Sequence, residues 1–306
     1  WLLVVYRDWL VHIVHRLKLE LLKQRYLHID ETHVQVLKEP GRKNTSDSYM
    51  WVYCSIRDAV NPIRYFEYQP GRSGKYPEAF LREYEGYIHT DAYSGYNAVS
   101  GVKRCLCYTH LRRAFVDALP KDIHNSEASK PAEAILRLNQ LFNIESELEA
   151  LPPDQKKKER LIREKPLLEA FWSWAEKSAI GELPKSKLSK AFHYALNNRE
   201  GFWNYLEDGN CSISNSLAEN CIRPFVIGRK NWLFSGSPKG AEASAGIYTL
   251  VETAKANGLA PMKYIKYILS DMPGSAFLEH PEYLDDYLPS GTSCPASDLL
   301  TKSSFR

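Results

Sequence analysis

The sequence predicts a mixed α/β or α+β protein interrupted by a long helical block, and three observations lead there. Short runs rich in β-branched and aromatic residues crowd the stretch from Tyr26 to Tyr108. Apolar residues recur three or four apart from Pro131 onward, as on amphipathic helices. A final helical pattern spans roughly 241–257. Periodicity alone fixes the class and not the topology.

Taken in order, WLLVVYRDWLVHIV is apolar, but Arg7 and Asp8 interrupt it and it falls short of the roughly 20 residues a membrane helix needs. It is expected to be an amphipathic helix whose beginning has been cut off. YLHID and HVQVL flank a polar turn and are followed by the strand-like runs SYMWVYCSI, PIRYFEY, GYIHT and RCLCY. PEAFLREYE supplies a short helix before GYIHT. Leu111–Leu119 opens the helical texture. Further helices are expected around Ile135–Phe142, Leu161–Trp172 and Leu188–Leu196, with breaks at LPPDQ, GELPKSK and EDGN. Pro184 suits a first helical turn, Gly258 a helix stop and Pro261 a new helix start. The expected organisation is a core of residues 1–118 plus 206–272, a helical insertion over 119–205, and a poorly ordered tail over 273–306.

Composition sets outer limits. A chain of 306 residues with 44% apolar content can bury a sizeable core and is not a disordered protein. A formal charge of +3 is too small to argue for nucleic-acid binding by itself, so local clusters of Lys and Arg matter more than the sum. Six cysteines without repeated spacing or a CxxC pair read as reduced thiols in a cytosol.

Three carboxylates stand out: Asp30 in YLHIDET, Asp91 in GYIHTDAYSGY and Glu219 in NSLAENCIRP. Two follow strand-like runs and the third sits in a helix start. Such a set can cage hard divalent cations, which take oxygen ligands. Each also has a structural reading. Asp30 and Asp91 are common turn residues, and Ser216-Leu-Ala-Glu219 matches a capping box. Cys107 and His110 form a C-x-x-H pair, too few ligands for a tetrahedral zinc site. Arg112, Arg113, Arg223, Arg229 and Lys230 lie near the acidic motifs and suit DNA phosphates. Arg223 could instead pair with Glu219 one turn away, on a helix that Pro224 is expected to shorten or kink. Trp232 could stack on an unpaired base or belong to the core. QKKKERLIREK reads as a solvated helix face.

The strings HIDETHVQVL, SYMWVY, GYIHTDAYSGYN, CYTHLRRAF, AENCIRPFVIGRKNWLFSGSPKGAEASA and LVETAKANGLAP, in this order, resemble the insertion sequence 66 family of DDE transposases. The resemblance implies a ribonuclease H-like mixed sheet flanked by helices, with an all-α insertion between the second and third acidic residues. It carries the catalytic triad onto Asp30, Asp91 and Glu219, with two Mg²⁺ or Mn²⁺ ions as cofactors and Cys107 and His110 as supports. Double-stranded DNA and further copies of the chain are the implied partners, with no membrane. Complete family members carry N-terminal DNA-recognition elements, and this chain begins close to the first Asp strand. A catalytically idle remnant and a ribonuclease H-like nuclease are the alternative functions.

Overall fold

The computed structural model describes residues 2–120, 129–289 and 299–300. Helix α1 (Leu2–Val5) runs through a π-turn at Tyr6–Leu10 into α2 (Val11–Leu22). Strands β1 (Tyr26–Val36), β2 (Asp47–Ser55) and β3 (Arg64–Gln69) follow, then α3 (Lys75–Phe80), β4 (Tyr87–Thr90) and β5 (Lys103–Leu106). Next come α4 (Tyr108–Val116), α5 (Lys130–Glu147), α6 (Pro153–Glu159), α7 (Lys165–Ala179), α8 (Lys187–Asn197) and α9 (Arg199–Trp203). The chain continues with α10 (Ser216–Trp232), β6 (Phe234–Ser235), α11 (Pro238–Ala256) and α12 (Pro261–Asp271). This is a mixed α/β protein, and among the described residues no helix is long and apolar enough to cross a membrane.

The chain divides into two compact units, one of residues 1–86, 95–101 and 217–306, the other of residues 87–94 and 102–216. In the first, β1, β2 and β3 form an antiparallel meander, and β6 adds parallel to the end of β1. Because side chains alternate along a strand, the register puts Asp30, Thr32, Val34 and Val36 on one face with Met50, Val52, Cys54, Phe66 and Tyr68. Helices α10 and α11 cover that face through Ala218, Ile222, Phe225, Ala241 and Ala245. The opposite face carries Tyr53, stacked on Phe80 of α3 at 3.6 Å, and Lys18 of α2 caps that ring at 3.9 Å.

Strand β3 lies at the edge of the meander, and α11 closes its outer side. Thr249 Oγ1 accepts from the Phe66 N–H at 2.8 Å, and Thr253 Oγ1 accepts from the Arg64 N–H at 3.0 Å. The spacing matches: four helical residues rise about 6 Å and two strand residues about 6.6 Å. Gly258, at φ +74°, takes the left-handed conformation that follows α11, and Pro261 begins α12.

Residues 281–287, placed by the sequence in a poorly ordered tail, form a 3₁₀ helix with Leu284 and Tyr287 buried. The Tyr264 hydroxyl donates to Tyr287 O at 2.7 Å, and Arg16 holds Asp285 at 2.5 Å. Aromatic anchors and an ion pair supply order that the Pro, Ser and acidic composition conceals. The rest of that expected tail, residues 290–298 and 301–306, lies outside the described residues.

The second unit contains the parallel pair β4–β5 and helices α4–α9. Phe115 of α4 meets Phe171 of α7 and Phe192 of α8 edge-on, at 6.4 and 5.4 Å. Ser129 and Ser186 cap α5 and α8 by accepting from backbone N–H groups three residues on. Helix α8 thus starts after Ser186, and Pro184 stands outside its first turn. Strands β4 and β5 and helix α4, expected within the core of residues 1–118 plus 206–272, cluster here with the helices of the expected 119–205 insertion.

Candidate active site

Asp30 sits near the middle of β1, on the face under α10, and its Oδ1 accepts from the Glu31 N–H at 2.9 Å. The helix above has a defined direction. Arg229 donates to Thr32 Oγ1 at 3.0 Å and to the His33 carbonyl, while Cys221 hydrogen-bonds Cys54, which pairs with His28 in the β1–β2 ladder. Helix α10 therefore runs parallel to β1, with its N-terminal turn toward the half of the strand that holds His28 and Asp30. Glu219 occupies that first turn. Asp30 is near enough to Cys54 for its charge to add to the burial and the Cys221 hydrogen bond that raise the Cys54 thiol pKa.

Glu31, next to Asp30, points to the other face. Its side chain is only 2% exposed and is held by Arg72 at 2.5 Å and by the Tyr96 hydroxyl at 2.5 Å. The pleat thus separates two neighbouring carboxylates into a neutralised one and one beneath α10. Strict alternation along HIDET already implies that Asp30 and Glu31 face opposite ways.

Asp91 follows β4 in the other unit. Its Oδ1 accepts from the Tyr93 N–H at 2.9 Å, an Asx turn that fixes the side chain. Arg104 of β5 reaches across the ladder to Thr90 Oγ1 at 2.7 Å, the Asp91 carbonyl at 2.6 Å and the Tyr93 carbonyl at 2.9 Å. A guanidinium fork on three acceptors holds this loop more rigidly than a lysine could. Tyr194 of α8 lies close by: burial, and next the Asp91 charge, push its phenol pKa well up.

Cys107 is the N-cap of α4 and His110 lies in its first turn, with a sulfur and a ring nitrogen within 4.8 Å of one another. Cys107 N donates to Thr90 O at 3.1 Å, and Cys107 Sγ accepts from the Asn215 N–H at 3.1 Å. Cys107 therefore ties the end of β4, beside Asp91, to the loop that enters α10. Asn215, fully buried, escaped the sequence reading because its part is played by its backbone.

The basic residues divide by environment. Arg113, Arg223 and Lys230 are exposed. Arg112 spends its Nε on Asn139 of α5 at 2.7 Å, and Arg229 braces α10 on β1. Trp232 is part-buried, edge-on to Phe225 at 5.3 Å.

The molecule is thus a mixed α/β protein that presents acidic side chains from a strand centre, a strand end and a first helical turn. The chain belongs to the transposase IS66 family, whose sequence profile matches residues 2–243. It is 27% identical over 263 residues to the uncharacterized protein y4hP of Sinorhizobium fredii (strain NBRC 101917 / NGR234), covering 80% of this chain and 47% of that protein. It is 29% identical over 258 residues to the uncharacterized protein y4qI of the same strain, covering 79% of this chain and 46% of that one. The chain thus spans about half the length of these relatives. No solved structure is significantly similar to it.

Proposed function

We propose that this chain is the catalytic part of a DNA transposase of ribonuclease H-like type. In this reading Asp30, Asp91 and Glu219 together hold two Mg²⁺ or Mn²⁺ ions, and double-stranded DNA is the substrate. Membership of the family supports the class of activity. The observation that carries the assignment is the placement of Asp30 beneath α10, at the end of the helix that bears Glu219.

The donor set fits the ions. All three ligands are carboxylates, the hard oxygen donors such cations take. Asp30 and Asp91 each have one oxygen fixed by a following backbone N–H, which restricts their rotamers before any cation arrives. Bound there, the ions supply Lewis-acid stabilisation of the attacking and leaving oxygens of an in-line phosphodiester displacement. The protein's part is to position. Arg104 holds the Asp91 loop, and Arg229 holds α10 on β1. Exposed Arg113, Arg223 and Lys230 offer phosphate contacts that give affinity without sequence choice.

Asp30→Asn, Asp91→Asn and Glu219→Gln should each abolish metal-dependent cleavage of a DNA duplex while keeping the wild-type circular dichroism spectrum. A variant that folds and still cleaves at near wild-type rate removes its residue from the site. Strand-transfer products on DNA, set against cleavage of RNA-containing hybrids, separate a transposase from a ribonuclease H-like nuclease.

A further inference from the structure

His89, Cys105 and Cys211 meet from three elements. His89 and Cys105 are directly paired in the parallel β4–β5 ladder, so both side chains leave on one face of it. Cys211 comes from the turn after α9, and that turn is fixed from beneath. The buried Arg160 guanidinium donates to the carbonyls of Tyr205, Asp208 and Cys211 at 3.0, 3.1 and 2.8 Å. One imidazole nitrogen and two sulfurs lie within 4.8 Å of one another, and each of the three residues is 1% exposed.

This chemistry differs from that of the carboxylates. Thiolate and imidazole are soft or borderline ligands that select Zn²⁺ over Mg²⁺. Tetrahedral zinc, with bonds of about 2.0–2.3 Å, separates its ligand atoms by roughly 3.3–3.8 Å, within reach of small rotamer adjustments here. Two thiolates and a neutral imidazole give a divalent ion zero net charge, which removes most of the cost of burying it.

We propose that His89, Cys105 and Cys211 bind one thiophilic divalent cation, Zn²⁺ in the first instance, as a structural site that ties β4, β5 and the turn before α10 together. His89 Nε2 accepts from the Ser212 N–H at 2.9 Å, which puts that nitrogen at the Cys211 end of the ring and makes it the ligating atom. Binding exchanges that hydrogen bond for a metal–nitrogen bond and releases the thiol protons. Water is left to fill the fourth tetrahedral position, which keeps the site neutral. Since β4 ends just before Asp91, two residues beyond His89, the cation would stiffen the strand that presents Asp91.

The test is a Co²⁺ titration of the reduced, metal-free full chain. The expected result is one equivalent bound, with tetrahedral d–d bands and a thiolate-to-cobalt charge-transfer band that Zn²⁺ displaces and excess Mg²⁺ does not. Cys105→Ser and Cys211→Ser should each lower the charge-transfer band by half or more, whereas Cys54→Ser and Cys107→Ser keep it in full. Asp30→Asn should also keep it, so failure of the carboxylate site and failure of this one are read separately. No charge-transfer band in the wild type, or a band undiminished in Cys211→Ser, overturns the proposal. If the cysteine variants do not fold, the wild type decides: a melting temperature indifferent to both Zn²⁺ and a chelator also overturns it.

Discussion

Asp30 and Glu31 share a strand but not an environment, and that difference is testable. Glu31 is buried and charge-paired, so Glu31→Gln leaves Arg72 without its counter-charge and should cost about 1–3 kcal/mol in denaturant unfolding. Metal-dependent cleavage should persist in whatever fraction folds. Asp30→Asn should show the reverse, with a nearly unchanged unfolding midpoint and no cleavage. Identical behaviour of the two variants would show that the pleat does not divide their roles. At this scale the acidic residues were legible because each sits in a distinctive string. Glu31's pairing was not, since Arg72 and Tyr96 reach it only through the fold. The His89, Cys105 and Cys211 cluster was hidden for the same reason: none lies in a ligand-spaced motif, and β-pairing brings two of them side by side.

Helix α10 shows how an element can depart from a sound local rule. Pro224 was expected to shorten or kink it, yet the helix continues from Ser216 to Trp232. Proline deprives the carbonyl four residues earlier of its donor, and here that residue, Asn220, is exposed, so water can serve instead. Burial of Ala218, Ile222 and Phe225 on the sheet supplies the compensating energy. Helix α11 offers a sharper test. Thr249→Val keeps shape but strands the buried Phe66 N–H, and should cost about 1–3 kcal/mol in thermal or chemical unfolding. A neutral outcome would mean that the strand finds another acceptor. In the second unit, Glu164 is raised to about 8, chiefly by burial and next by the Glu145 charge. A carboxyl that is harder to ionise in the fold than in the open chain contributes stability that is full below about pH 4.5 and lost as pH rises toward 8. Glu164→Gln should flatten this part of the melting-temperature profile, and an unchanged profile would locate the dependence elsewhere. The helical texture of this block was plain from its 3.6-residue period. The Arg160–Glu145–Glu164 network within it was not, because QKKKERLIREK reads as a solvated face and Arg160 is fully buried.

For the molecule as a whole, a net charge of +3 means that the proposed binding of DNA would rest on local clusters. If Arg113, Arg223 and Lys230 each neutralise one phosphate, the slope of log Kobs against log salt should shrink by about 0.9 for each Ala substitution. The loss should be the same on unrelated duplexes. A slope unmoved by all three substitutions would assign the DNA surface to other residues. Strand-rich and helix-rich regions were readable from periodicity alone, and the mixed α/β class followed. How residues 87–94 and 102–118 would associate was not, because compactness depends on contacts such as Phe115 with Phe171 and Phe192 that only a folded chain makes.

The threonine pair on α11 bears on how copies of this protein can gather. An outermost strand with open donors and acceptors invites a neighbour to extend the sheet, but at Arg64 and Phe66 those groups are already satisfied from within the same chain. At those two positions the chain itself occupies the place that an added strand from a second copy would need.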